Sequence, residues 1–389
     1  MPWIGRKKLA LVPVFRPHFL NPPDVIPPDW PGQIMRRMIF DPQNGVDRSL
    51  RAYIRAASSG AADLDAVVQP QQNFDGAAGD VEPGDLDGLL GAQLRQQGFD
   101  AAALVMLGGV GAGTSQRGGF WARFVMAEGV GTWAMEFMHV ITNFNDLYPF
   151  AGDVGQATGP RAYNGNMGNY DEMASNNGTH PSAYTKAAIQ WINPSTIAQL
   201  TSPTQSFDLH SIGLPQPPIS GRVAAVRIGA QVPYLMVEAR QKVDPFDMNI
   251  PAEGVIVYRV QTTDPSGSAE NATPPVVMLT LDASRLFPTA LAVGQVFTDP
   301  GGVTVRVTQA LPGGFSVTIN NPNLGVVVPN VFEEGQTAAA AAMHKVGLVP
   351  VFTGSGGPKA WVKSQKPVAG SIVPKGSTVT MTMVTGAQP

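Results

Sequence analysis

The stretch Trp133-Ala134-Met135-Glu136-Phe137-Met138-His139-Val140, with Asp146-Leu147-Tyr148 six residues on, decides how the chain is read. On a helix, positions 135 and 139 lie one turn apart on the same face. That is the spacing at which H-E-x-x-H sequences offer two imidazoles to one metal, with the glutamate between them as general base. Glu136 and His139 stand where that chemistry needs them, and methionine stands at 135. Catalytic zinc takes three nitrogen or oxygen side chains and keeps one position open for water, whereas a thioether is neutral and soft. His139 and Asp146 are therefore candidate ligands of an incomplete site, Met135 occupies the first-ligand position, and Glu136 is the candidate general base. Without a metal to bring the pKa of bound water toward neutrality, Glu136 would have to activate bulk water, so an impaired or inactive centre is expected.

Around this stretch the composition is that of a globular chain long enough for two or three domains: 389 residues, 43% hydrophobic and 14% charged. The formal net charge of -3 gives no electrostatic reason to expect nucleic acid or an anionic membrane. Gly 43 and Pro 35 predict many turns and short strands, hence an α+β fold with a β-rich second half. No cysteine is present, which excludes disulfides and thiolate metal sites. No apolar run approaches the roughly 20 residues of a membrane-spanning helix. The start, Arg6-Lys7-Lys8 followed by Leu9 to Phe15, has a short apolar stretch interrupted by Pro13 and no small-residue cleavage site, so a first buried strand is expected rather than a signal peptide.

Toward the N-terminus, a Pro-rich loop spans Pro22 to Pro31. Asp47 is then placed to cap a helix whose stripe is Leu50, Tyr53, Ile54 and Ala57. Strands are expected at Leu64 to Val68 and Ala101 to Leu107, with a helix over Gly84 to Gly98 bearing Leu86, Leu89, Leu90 and Leu94. Gly108-Gly109-Val110-Gly111-Ala112-Gly113 follows a strand, but the G-x-G-x-x-G spacing is not met and Phe120 to Val125 reads as a strand, so a glycine turn or hairpin is expected. The central helix runs from about Gly131 to Thr142. Beyond a Gly/Asn-rich loop, Ser182 to Ile192 reads as a helix. Met135, Met138, Trp133, Phe137 and Val140 are core candidates on this reading, because methionine fills gaps well. Asp153, Asp171 and Glu172 could offer hard oxygens to calcium, although no 12-residue ligand loop is present. His18, His210 and His344 have no metal-ligand spacing, and His180 is expected to make a loop or cap contact.

From about residue 206 short valine-rich strands take over: Arg222 to Ile228, Tyr234 to Ala239, Gly254 to Val260, Val276 to Leu281, Val303 to Val307 and Gly314 to Ile319. Pro and Gly turns space them, which predicts a β-sandwich. A last unit has an alanine-rich helix over Gln336 to Lys345 stopped by Gly347, then strands at Leu348 to Phe352, Ala360 to Ser364 and Thr378 to Val384. Its Lys359, Lys363, Lys366 and Lys375 read as a solvated face.

These residues together resemble the immune-inhibitor-A type of bacterial secreted zinc metallopeptidase, a zincin-like family. The likeness rests on the near-HExxH helix, on Asp146-Leu147-Tyr148, and on Gly168-Asn169-Tyr170-Asp171-Glu172-Met173, which is similar to the family's Met-containing turn. The helix from Ser182 to Trp191, Tyr234 to Arg240 and Gly254 to Tyr258 extend it. The resemblance implies that Glu136 matches the general base, His139 the second zinc ligand, Asp146 the acidic ligand with one residue inserted, and Met173 the Met-turn. Met135 departs from the first ligand, and Thr142 stands where the family has glycine.

The last segment resembles a PASTA module through Val328-Pro329-Asn330-Val331, the alanine-rich helix, Gly347-Leu348, Ser364 to Gly370 and Val373 to Val379. Such modules often sit outside the cell and can contact wall fragments. The expected organisation is a metallopeptidase-like domain over 1–205, a β-sandwich over 206–322 and a PASTA domain over 323–389. The expected function is that of an extracellular or cell-surface pseudopeptidase. Its former active-site cleft holds a protein or peptide partner, zinc is absent or weak, and the last module contacts cell-wall material. Two alternatives stand beside it: an active or weakly active zinc endopeptidase, and a self-associating structural subunit of a surface or particle-associated assembly.

Overall fold

The computed structural model describes residues 2–16, 26–74, 83–108, 113–148, 167–262, 264, 266, 275–282 and 287–386. The chain is a mixed α/β structure with many strands and few helices. It divides into two compact units: Met1–Ala198 with Asp208–Val293 and Ala310–Phe315, and Gln199–Phe207 with Gly294–Gln309 and Ser316–Pro389.

The first unit is built on β1 (Gly5–Phe15), α1 (Trp30–Ile39), α2 (Leu50–Ala57), β2 (Ala62–Val68), β3 (Ala101–Met106), β4 (Thr114–Ser115), β5 (Trp121–Val125) and α3 (Val130–Thr142). The sheet order is β2-β1-β3-β5-β4, with a short strand Gln72–Asn73 also pairing β1. Neighbours in β2-β1-β3-β5 are parallel, and β4 alone runs antiparallel, at the edge. Helices and strands therefore alternate along this part of the chain, a closer mixing than the α+β expectation implied.

A strand covered on both faces reads as a continuous apolar run, and β1 does so from Leu9 to Val14. Leu9 and Leu11 bury with Ala103, Val105 and Phe124 on the face that carries α2 and α3, while Ala10, Val12 and Val14 bury with Leu104, Trp121, Leu86 and Leu94 on the other. The expected stripe Leu50, Tyr53, Ile54 and Ala57 is the buried face of α2. Its cap, however, is Ser49, whose hydroxyl accepts from the Ala52 amide at 3.2 Å. Asp47 instead holds the preceding hairpin, accepting from the Ser49 and Asp41 amides at 3.0 and 2.9 Å. The expected helix over 84–98 forms as Pro83–Leu86, a π-type turn at Asp87–Gly91 and Ala92–Gln96. The wider turn shifts the helical register, so Leu86 and Leu94 bury while Leu89 is 66% exposed.

The first unit also contains an antiparallel sheet ordered Val276–Met278, Gly254–Val260, Tyr234–Arg240, Ala225–Ile228 and Ile197–Gln199. A buried ionic cluster joins it to the helix Ala183–Ala188. Arg240 bonds Asp247 at 2.8 Å and the carbonyls of Tyr170 and His180 at 2.6 and 3.1 Å. Glu238 accepts from the Ala183 amide and the Tyr258 hydroxyl at 2.8 and 2.7 Å. These bonds account for a departure from the expected single sandwich over 206–322: Asp208–Val293 packs with the first unit, while Gly294–Gln309 goes with the second.

In the second unit a four-stranded sheet is ordered Thr204–His210, Gly314–Asn320, Thr304–Leu311 and Val296–Thr298. Its C-terminal part has the helix Gln336–Lys345 over a sheet in which Thr378–Thr385 lies between Val349–Gly354 and Ala360–Lys366. Ala339 and Met343 of the helix bury against Val362, Val379, Met381 and Met383. Among the described residues no helix is long and apolar enough to cross a membrane.

Candidate functional site

The site is assembled from α3, the edge hairpin β4–β5 and the segment after α3. Gly131 to Thr142 of α3 is buried throughout, and the helix ends in a left-handed turn at Asn143, φ 59°. Asparagine tolerates that conformation, so the turn for which the resembled family has glycine falls one residue after Thr142. The Thr142 hydroxyl donates to the Met138 carbonyl at 2.6 Å and accepts from the Phe144 amide at 3.2 Å, drawing the following chain back over the helix end. The Leu147 amide then donates to the Met173 carbonyl at 2.8 Å, which fixes residues 146–148. Met173 itself is fully buried in the same apolar cluster as α3.

A pocket of about 300 Å³ opens here, lined by Gly113, Thr114, Ser115, Arg117, Glu136, His139, Asn145, Asp146 and Tyr148. The hairpin is stitched to the helix end by the Gly118 amide, φ 60°, which donates to the His139 carbonyl at 2.9 Å. Gly113 is required by close approach: a Cβ there would stand 2.6 Å from Thr132 Cγ2 and 2.9 Å from Glu136 Cγ. Glu128 accepts from the Val125 amide at 2.7 Å and from the Gly113 amide, tying the start of β4 to the end of β5. The glycine run leading into β4 was expected to form a turn or hairpin. Its residues Gly109, Val110, Gly111 and Ala112 lie outside the described residues, as do His18 and Asp153.

Three of the sequence candidates meet in the pocket. His139 Nδ1 donates to the Phe144 carbonyl at 2.7 Å, and Nε2 lies 3.0 Å from Asp146 Oδ1. A carbonyl and a carboxylate both accept, so this arrangement suits an imidazolium with two N–H groups. Burial opposes that charge, but the hydrogen bond and charge of Asp146, with Glu136 and the Phe144 carbonyl, together hold the His139 pKa above its ordinary value. Burial raises the pKa of Glu136, with His139 and the Ser115 hydroxyl opposing. The Tyr148 phenol, buried and bonded to Asp146, is likewise held above its ordinary range.

Met135 goes elsewhere. It is 3% exposed and belongs to the apolar cluster formed by α3 and the sheet. The donors present do not fit a zinc ion: two nitrogen or oxygen side chains, His139 and Asp146, already bond each other. Among the described residues no group of three or more His, Cys, Asp or Glu is placed to hold a metal. The calcium candidates Asp171 and Glu172 serve the fold. Asp171, fully buried, accepts from the Met173 and Ser182 amides and the Thr185 hydroxyl at 2.9, 2.8 and 2.6 Å. Glu172 accepts from the Thr179 amide at 2.9 Å. His180 does more than cap a loop: it is fully buried, with Nε2 2.6 Å from Asp244 and Nδ1 3.2 Å from the ammonium of Lys186.

The sequence carried no signal for Ser115, Arg117 or Asn145. The first two arrive through hairpin pairing, and Asn145 through the turn at Asn143. Tyr148 was within the quoted stretch, but its bond to Asp146 was not readable.

The fold and site together define a mixed α/β unit with a polar pocket over a buried helix, followed by a second unit of separate origin. Residues 326–385 of that second unit are a PASTA domain. No curated protein matches the chain.

Proposed function

We propose that the first unit is a metallopeptidase-like, zincin-related scaffold that has exchanged hydrolysis for binding, and that its pocket holds a protein or peptide segment. One observation carries this reading: Met135 lies in the apolar core while both nitrogens of His139 are engaged by Phe144 and Asp146. Glu136 keeps the place of a general base, but no third metal donor accompanies His139 and Asp146. The edge position of β4 beside the pocket supports a peptide ligand, because an extended chain adds to an open strand edge through main-chain hydrogen bonds. The PASTA domain supports a place at the cell wall, where it would contact peptidoglycan-related material and hold the pocket near its partner.

The convergence of Glu136, His139 and Asp146 in one pocket favours a second reading, a weakly active zinc endopeptidase. Casein incubated with the full chain and added zinc separates the two. Binding without cleavage, identical for wild type and Glu136→Gln, is expected. Cleavage that needs both zinc and Glu136 would overturn the binding reading.

A further inference from the structure

The interior of the pocket carries more negative charge than its own cations balance. Glu136 and Asp146 are each 7% exposed, and the one buried cation among the lining residues is His139, 4% exposed and bonded to Asp146. Asp146 also receives the Tyr148 hydroxyl. Glu136 is met by the Ser115 hydroxyl, a neutral group. Behind it Glu128 adds a second acid, already engaged by the Val125 and Gly113 amides. Arg117 lines the same pocket but is exposed, where water screens its charge. A carboxylate nine-tenths buried on a pocket wall is costly without a counter-charge.

We infer that the pocket takes a primary ammonium group, with Glu136 as its counter-charge and the Thr114 and Ser115 hydroxyls as further acceptors. The inference rests on the peptide-binding reading and names the group that reading leaves open. An ammonium is a compact cation with three donors, so one carboxylate flanked by hydroxyl oxygens can satisfy it. Zinc would need more ligands than the pocket supplies. Two sources offer this group, a lysine side chain and a free peptide N-terminus.

Fluorescence anisotropy with the full chain and labelled heptapeptides of one neutral sequence tests it. Four peptides are compared: N-acetylated with a central lysine, N-acetylated with norleucine there, free N-terminus with norleucine, and N-acetylated with glutamate. At least tenfold tighter binding of the first or third than of the second is expected, and which of the two gains identifies the source. The advantage is expected to fall within twofold in Glu136→Gln and to shrink several-fold in Ser115→Ala, which serves should Glu136→Gln fail to fold. Equal binding of the first three peptides, or a preference for glutamate, would overturn the ammonium inference and leave peptide binding standing. No binding of any peptide, with zinc- and Glu136-dependent cleavage of casein, would overturn both.

Discussion

Glu172→Gln offers a test of the buried polar framework beneath the pocket. Glu172 is fully buried, accepts from the amides of Thr179 and Gly178, and has its second oxygen unpartnered. Burial is the main cause that pushes its pKa up to about 8 from 4.5, with the two amides opposing. The folded chain therefore keeps a proton that the unfolded chain releases. The resulting stability is fully present below the unfolded value near 4.5 and is lost as pH rises through about 8. At about 1.4 kcal/mol per pH decade, the loss between those limits is on the order of 4 kcal/mol. Glutamine copies the protonated form: its carbonyl can still accept from Thr179, and it does not titrate. Urea unfolding of both proteins at pH 5, 7 and 9, followed by tryptophan fluorescence to which Trp3, Trp121, Trp133 and Trp191 of the same unit contribute, isolates this group because other titrations cancel in the difference. The variant should gain on the wild type as pH rises, by several kcal/mol from pH 5 to 9. A difference that stays constant within about 0.5 kcal/mol would refute a buried, protonated Glu172.

Gly113→Ala should destabilise by about 1–3 kcal/mol, because its methyl meets Thr132 and Glu136 below contact distance, and thermal melting measures the loss. Arg240→Met should cost about 3–5 kcal/mol, since Asp247 would be left buried without its cation; chemical denaturation at neutral pH reads it, and a loss under 1 kcal/mol would mean the cluster relaxes or takes in water. Met135→His should raise zinc uptake toward one ion per chain, because positions 135 and 139 share a helix face; dialysis against zinc followed by elemental analysis is the readout, and unchanged uptake would place the defect beyond position 135.

Local periodicity made the helices legible. The central helix expected over Gly131 to Thr142 forms as Val130–Thr142, and the alanine-rich helix forms as Gln336–Lys345 with Gly347 past its end at φ 76°. The α2 stripe was legible for the same reason, since spacing along one element fixes its buried face. The cap of α2 was not, because Asp47 and Ser49 both suit an N-terminus and the hairpin at Pro42 to Asp47 decides between them. Pairings between segments distant in sequence left no trace. Lys186 reaches the Ile212 carbonyl at 2.7 Å and His180 reaches Asp244, and such contacts depend on how the elements fold onto one another. The pocket was half legible on the same terms: Glu136 and His139 lie within one helix, whereas Ser115 comes from a hairpin that no periodicity announced.

Zinc content tests the central claim most directly. Full-length protein equilibrated with zinc and freed of loosely held metal should retain far less than one ion per chain, because a methionine in the core leaves His139 and Asp146 to bond each other. One tightly held zinc per chain, lost in His139→Ala, would contradict it.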